Sequence, residues 1–367
     1  MANKKYCMVV ATPIQALNIL NYVEHCLVGD HTVDLFINAS PALDSIACQI
    51  RKEGLFDHIY PYRLRRKESS PGYYFYDFRQ AAFPGLFLRE ILIEPVDFKA
   101  KDYDVITITS GHDVEMALVR LFPKARQVAI EDGLGSYVGD LIHDHKLSVL
   151  WRMFGRKMEK IRPECLLVNN VSMCRSTLCP TIVQLPRLDA DDAFQKCINR
   201  VFTSTGSHVY QGKRFVYLTQ PLSEIGVQST SLSSGILKAL LEIGKENVII
   251  RRHPRDLSLP EGLPDARMDN DNQLWELVCA HEIAEETVLI SVCSTAQIIP
   301  KMIYNREPRI VFLYELFKEE IKKTPYEKFR EIHSMIAENY SDRDRIMVPR
   351  TLEEFKTILR SATKERT

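Results

Sequence analysis

Two adjacent carboxylates followed by a glycine, Glu131-Asp132-Gly133, a histidine followed by a proline, His253-Pro254, and a hydroxyl pair, Ser294-Thr295, are the residues of this chain best suited to do chemistry. Each group stands where a short apolar run gives way to a turn. A carboxylate there can take a proton from a hydroxyl. A histidine can donate to a phosphate or to a departing oxygen, and amides with hydroxyls at a helix start hold phosphate without a metal. The acidic pair closes the run QVAI, which reads as a buried strand from its apolar, partly β-branched character. Gly133 and Gly135 then let the backbone turn sharply and a ligand come close. Taken alone, the segment reads more readily as a solvated acidic turn, and its meaning comes from the clusters downstream.

In NVIIRRHPRD a strand ends in Arg251, Arg252, His253, Pro254 and Arg255, and the proline fixes the turn that aims the histidine. TVLISVCSTAQIIPKMI delivers Ser291, Ser294 and Thr295 to the start of a helix. The expected nucleotide and phosphate contacts are therefore His253, Pro254, Arg252, Ser291, Ser294 and Thr295, with Gly133 added from the acidic turn. VYLTQPLSEIG sets Gln220 and Glu224 on either side of Pro221, Glu224 serving as a second candidate base. In VVATPIQALNI, Thr12 is a helix cap with Pro13 at the first helical position. Capping alone accounts for Thr12; a hydroxyl-rich or anionic ligand at that helix start is the functional alternative. TSGHDVEMAL puts Ser110 and His112 at another strand-to-helix boundary, so Thr12, Gln15, Ser110, His112 and Gln220 are the expected acceptor contacts. No GxGxxG follows the first strand, which argues against a nicotinamide or flavin dinucleotide. The basic run Arg63 to Lys67 reads as a solvated face, Trp151 and Trp275 as core, and His143 with His145 lacks a third ligand of metal-site spacing.

The elements that must position these residues follow from the alternation of the sequence. YCMVVA, TVDLFINA, HIYPYRL, YDVITITS and QVAI read as strands separated by helices such as IQALNILNYVEHCL, the pattern of a parallel sheet with crossover helices. An irregular Tyr-, Phe- and Pro-rich insertion, Glu68 to Pro84, interrupts it. CLLVNN and TIVQLP follow, then a helix from Asp189 to Val201. RFVYLTQP, NVIIRRHPR, TVLISVCST and RIVFLY open a second α/β series, closed by the amphipathic TLEEFKTILRSA. The expected organisation is a first Rossmann-like domain over 1–203, a linker over 204–212, a second over 213–350, and a helix with a frayed tail over 351–367. At 367 residues two domains are the natural division.

Composition narrows the class. With 48 basic against 48 acidic side chains the chain has no cationic surplus for nucleic acid. Nine cysteines, an odd number without a CxxC pair, fit a reducing cytoplasm better than a disulfide framework. No run approaches the roughly 20 apolar residues of a membrane span, so any membrane contact is peripheral, at the inner face of the plasma membrane.

As an ordered set, Glu131-Asp132-Gly133, His253-Pro254 and Ser294-Thr295 resemble the three motifs of the bacterial sialyltransferases, and their order and spacing are most similar to glycosyltransferase family 52, the lipooligosaccharide and capsule group. The resemblance extends over nearly the whole chain, including ATPIQALN and TQPLSE. It implies a GT-B-type α/β fold with two Rossmann-like domains facing a central cleft. It implies inverting, metal-independent transfer of sialic acid from CMP-sialic acid to a hydroxyl of an oligosaccharide, with no cofactor beyond the donor, and it is compatible with a homodimer. The catalytic set it suggests is Asp132 as base, with Glu131 and Glu224 as alternatives, and His253 at the leaving phosphate. In some relatives an aspartate follows the proline of the second-domain opening segment; here Leu222 stands there, which leaves the base open among these carboxylates. A UDP-hexose donor on the same fold, or a non-catalytic nucleotide-sugar-binding protein, are the competing readings, and acceptor and linkage are not encoded in any readable spacing.

Overall fold

The computed structural model describes residues 3–64, 79–80, 82–111, 113–138, 161–189, 191–202, 208–228, 230–244, 246–253, 255–256, 268–269 and 273–364. The chain divides into two compact units, Met1–Thr203 and Ser204–Thr367. Most of the Glu68 to Pro84 insertion, His112, His143, His145, Trp151 and Pro254 lie outside the described residues.

The first unit is built on a seven-stranded parallel sheet. Its strands are β1 (Lys4–Val10), β2 (His31–Asn38), β3 (His58–Tyr62), β4 (Val105–Ile108), β5 (Arg126–Ile130), β6 (Cys165–Val168) and β7 (Ile182–Gln184). They lie side by side in the order β3-β2-β1-β4-β5-β6-β7. Between them run α1 (Pro13–Cys26), α2 (Pro41–Glu53), α3 (Pro84–Ile91), α4 (Asp113–Leu121), the single turn α5 (Gly135–Val138) and α6 (Asp192–Val201). The strands β1, β2, β4, β5 and β6 are apolar and buried along most of their length, as a parallel sheet covered by helices requires, while β3 and β7 at its two edges are mostly half-buried or exposed. Cys7, Val9, Phe36, Ile106 and Ile108 form a core with Phe87, Leu88 and Ile91 of α3 and Val114, Ala117 and Leu118 of α4. Met8, Val10, Leu35 and Ile37, alternate residues of the same strands, are also buried. Strand alternation puts them on the other face, and α1, α2 and α6 contact one another. Strand order reverses between β1 and β4, so the carboxyl ends of β1, β4 and β5 meet around a topological switch point.

The second unit carries a five-stranded parallel sheet in the order β12-β11-β10-β8-β9. Its strands are β8 (Phe215–Leu218), β9 (Val248–Arg251), β10 (Val288–Ser291), β11 (Arg309–Phe312) and β12 (Ile346–Met347). Its helices are α7 (Thr230–Glu242), α8 (Trp275–His281), α9 (Ile299–Tyr304), α10 (Lys323–Asn339) and α11 (Leu352–Lys364). The final helix belongs to this unit: α11 packs on α7, where a Cβ placed on Gly235 would meet Leu352 Cδ2 at 2.9 Å. The switch point here falls between β8 and β10, whose carboxyl ends deliver Thr219-Gln220 and Val292-Cys293-Ser294.

The candidate active site

In the first unit the site is assembled by one glutamine. Thr12 is the N-cap of α1, and Gln15 three residues later completes a capping box. The Thr12 hydroxyl accepts from Gln15 N at 3.4 Å, and Gln15 Oε1 accepts from Ala11 N at 2.6 Å and Thr12 N at 3.2 Å. With its oxygen held by two backbone amides, the amide's NH2 group must face outward from the cap. It donates to Asp132 Oδ1 at 2.7 Å and lies 3.5 Å from Ser110 Oγ. The turns after β1, β4 and β5 are thereby tied together by a side chain that is fully buried.

Asp132 and Glu131, neighbours in sequence, have opposite environments. Asp132 is half-buried, its amide donating to Ser136 Oγ at 2.8 Å. Gly133 follows at φ 91°, a left-handed conformation that favours glycine, although a Cβ there would meet nothing within 4 Å. Gly135 has no such requirement and starts α5. Glu131 is fully buried. Its Oε2 accepts from Tyr137 OH at 2.6 Å, Asn169 N at 2.6 Å and Asn169 Nδ2 at 3.1 Å, while Asn18 Nδ2 donates to its backbone oxygen at 3.0 Å. A carboxylate so enclosed cannot meet an incoming hydroxyl, and its place is in the wall that holds α1, β5 and β6 in register. Burial, then the Glu131 charge, push the Tyr137 phenol well above its ordinary range, so it stays a donor.

In the second unit the backbone fixes the histidine. His253 N donates to Thr219 Oγ1 at 3.0 Å, tying the end of β9 to the end of β8. Arg255 N donates to His253 Nδ1 at 3.1 Å. A nitrogen receiving an N–H must carry a lone pair, so the ring proton sits on Nε2, which can donate to a ligand. Burial, then the neighbouring Arg255, lower the His253 pKa from its ordinary value. The ring is therefore neutral near pH 7. Ser294 caps the helical turn Thr295–Gln297, again as a capping box: its hydroxyl accepts from Ala296 N at 3.3 Å, and Ser294 N donates to Gln297 Oε1 at 3.1 Å. Gln297 in turn donates to the carbonyls of Leu289 at 3.0 Å and Val311 at 2.9 Å, fastening the cap to β10 and β11. Thr295 is exposed and Ser294 half-buried.

Several expected contacts have other duties. Gln220 is consumed inside the unit: its Oε1 accepts from Cys293 N at 2.8 Å and Ser291 Oγ at 3.1 Å, and its Nε2 donates to Cys293 O at 3.0 Å. It shapes the turn after β10 instead of meeting an acceptor. Ser291 lies fully buried beneath it, out of reach of a phosphate. Gln15 likewise spends its amide on the α1 cap and Asp132 instead of on a ligand. Glu224 is exposed and pairs with Arg255 at 2.8 Å. Arg252 is exposed, its Nε donating to Asp256 O at 2.6 Å. Arg251 is locked against Asp269 at 2.6 Å and lies over the Trp275 ring. Asn18, Ser136, Tyr137, Asn169 and Thr219 take part in these networks without belonging to any of the sequence motifs. The one signal for any of them was the polar Asn169-Asn170 doublet directly after CLLV, a strand end at the site.

Among the described residues no group of three or more His, Cys, Asp or Glu side chains gathers as a metal site would, and no helix is long and apolar enough to cross a membrane. No protein-family model and no curated protein matches the sequence. Solved structures do. The chain is similar to the glycosyltransferase of kitacinnamycin, with a TM-score of 0.54 at 10% identity, covering 99% of this chain and 91% of that one. A glycosyltransferase of Streptomyces sp. SF2575 complexed with thymidine diphosphate gives 0.48 at 11% identity, with 99% and 91% covered. A UDP-N-acetylglucosamine 2-epimerase gives 0.47 at 12% identity, with 97% and 91% covered. The first likeness, together with two doubly wound parallel sheets, places the chain in the GT-B fold class.

Proposed function

We propose that this chain is a glycosyltransferase that uses a nucleotide-activated sugar, with Asp132 as the base that deprotonates the acceptor hydroxyl. The hydrogen bond from Gln15 to Asp132 carries the reading. A glutamine whose oxygen is anchored by two amides presents a fixed donor to one carboxylate oxygen, which favours the ionised, proton-accepting form. The burial of Glu131 and the surface ion pair of Glu224 leave Asp132 as the carboxylate suited to the role.

In the proposed reaction the acceptor O–H proton passes to Asp132 as its oxygen bonds to the anomeric carbon. The bond from that carbon to the phosphate oxygen breaks, its electron pair stays with the nucleotide, and the configuration inverts. His253 Nε2–H and the exposed Thr295 hydroxyl receive the charge that gathers on the phosphate. Arg252, exposed after β9, supplements them.

The donor proposed is CMP-sialic acid, on the strength of the ordered motifs Glu131-Asp132-Gly133, His253-Pro254 and Ser294-Thr295. A UDP-sugar donor, whose diphosphate Arg252, Arg255 and Ser294 would meet, is the second reading. Slow donor hydrolysis and thermal-shift titration with CMP, UDP and their sugar conjugates separate the two: CMP-sialate turnover with CMP stabilisation supports the first. Stabilisation by UDP and not by CMP overturns it. Asp132→Asn should cut transfer by about a hundredfold to ten-thousandfold, the usual contribution of a general base, with unchanged melting. Full activity in that variant would remove Asp132 from the mechanism.

A further inference from the structure

The carboxyl ends of β11 and β12 open on a cavity of about 890 Å³ that plays no part in the assignments above. It is lined by Tyr314, Glu315, Lys318 and Glu319 after β11, by Arg350 after β12, and by Tyr326, Arg330 and His333 of α10. The three helix residues sit at i, i+4 and i+7, one face of α10, while Phe329, Ile332, Met335 and Ile336 are the residues the helix buries. Only Leu316 and Val348 are aliphatic among the lining residues.

The lining is ordered. Tyr326 OH donates to Glu315 Oε1 at 2.7 Å, and Tyr314 OH lies 3.0 Å from His333 Nδ1. Burial, then Arg330, lower the His333 pKa, with Glu315 opposing. His333 is therefore neutral near pH 7 and shares one hydrogen bond with the Tyr314 hydroxyl through Nδ1. The rings of Tyr314 and Tyr326 meet edge to face, 5.8 Å between centroids at 72°. Lys318, Arg330 and Arg350 are exposed, and among the described residues no carboxylate or carbonyl takes their side-chain N–H groups. Set against Glu315 and Glu319, the three cations leave the lining net positive.

We propose that this cavity binds an anionic sugar, a pyranose ring bearing a carboxylate or a phosphate, and so holds the saccharide part of a substrate. Its volume suits one or two sugar rings. Two phenols give walls that are apolar in body and hydrogen-bonding at the tip. Arginine forks without protein partners are the groups that receive a carboxylate or phosphate in two-point fashion. Crossed rings and a mainly polar lining do not form the flat apolar clamp that a nucleobase needs. The inference rests on the proposed sugar-transfer activity and deepens it by giving a charged saccharide a place in the second unit.

Glucuronate, glucose 6-phosphate, glucose and inorganic phosphate, titrated separately into the full chain by calorimetry or ligand-observed NMR, test it. Glucuronate or glucose 6-phosphate should bind more tightly than glucose and than inorganic phosphate, and whichever of the two is tighter identifies the anion. Arg330→Ala and Arg350→Ala, both surface changes, should each weaken that binding by about tenfold or more, the weight of a hydrogen bond to a charged group. Nucleotide binding in the same variants should not change. Equal binding of glucose, equal binding of phosphate alone, no binding of any sugar, or indifference to both arginine changes would each overturn the proposal. Sugar binding without any nucleotide binding would leave it standing and remove the proposed transferase instead.

Discussion

Replacing Gln15 by leucine tests the arrangement on which the choice of base depends. The side chain is fully buried, and leucine nearly preserves its volume, so the change removes hydrogen bonds without opening a large cavity. Asp132 Oδ1 loses a donor at 2.7 Å. A hydrogen bond to a charged group contributes about 1.5–3 kcal/mol. The lost donor had favoured the ionised carboxylate, so the acid limb of the activity profile should move up in pH. The amides of Ala11 and Thr12 also lose their acceptor, at 2.6 Å and 3.2 Å. That loss of capping should cost about 1 kcal/mol of stability, a fall of a few degrees in melting temperature. The assay is kcat/KM for transfer from about pH 4.5 to about pH 8.5, where the expected signature is near-normal activity at the alkaline end and about a tenfold or greater deficit at the acid end. Gln15→Glu should move the limb further, since its second oxygen sets a like charge against Asp132. A deficit of the same size at every pH, or a limb that does not move, refutes the role given to Gln15.

Tyr137→Phe should destabilise the first unit by about 2–4 kcal/mol in chemical unfolding, because it strips a 2.6 Å donor from buried Glu131 and leaves Asn170 N without its 3.1 Å acceptor. Glu224→Ala should change stability by less than about 1 kcal/mol, as expected of an exposed ion pair, and leave most transfer activity; loss of activity would transfer the base role to Glu224. Gln220→Leu should weaken nucleotide binding and lower the melting temperature together, since three hydrogen bonds shaping the turn after β10 disappear at once. For His253 the sign runs one way: its folded-state pKa lies below the ordinary 6.5, so an unfolded chain takes the proton first as pH falls. The stability it contributes is present above about pH 6.5 and lost as pH drops through the folded value, so melting of His253→Asn should be less acid-sensitive than that of the parent.

Much of the scaffold is written in local pattern. The apolar runs of β1, β2, β4, β5 and β8 to β11 are bounded by turn residues and alternate with amphipathic helices, which suffices to indicate parallel sheets. Several elements escaped, among them α3, which starts at Pro84 where the irregular insertion ends. The helix α10 carries Pro325 in its first turn, where proline is tolerated although it reads as a breaker. The strand β12 is two residues long and exists only because β11 offers an edge to pair with. Thr12 and Ser294 were legible as caps because capping is a short-range exchange between a hydroxyl and amides two or three residues away.

The sequence by itself determined which residue types end the strands: carboxylates after β5, a histidine after β9 and hydroxyls after β10. It could not say which of them face outward, because that depends on partners far away along the chain. Glu131 and Asp132 are adjacent, and only folding brings Tyr137 and Asn169 onto the first and Gln15 onto the second. Gln220 and Ser291 read as ligand groups until β8 and β10 pair and their polar atoms satisfy one another. A strand end exposes side chains to whatever the topology places beside it, so tertiary structure decides which carboxylate stays partly open and which is enclosed in the wall.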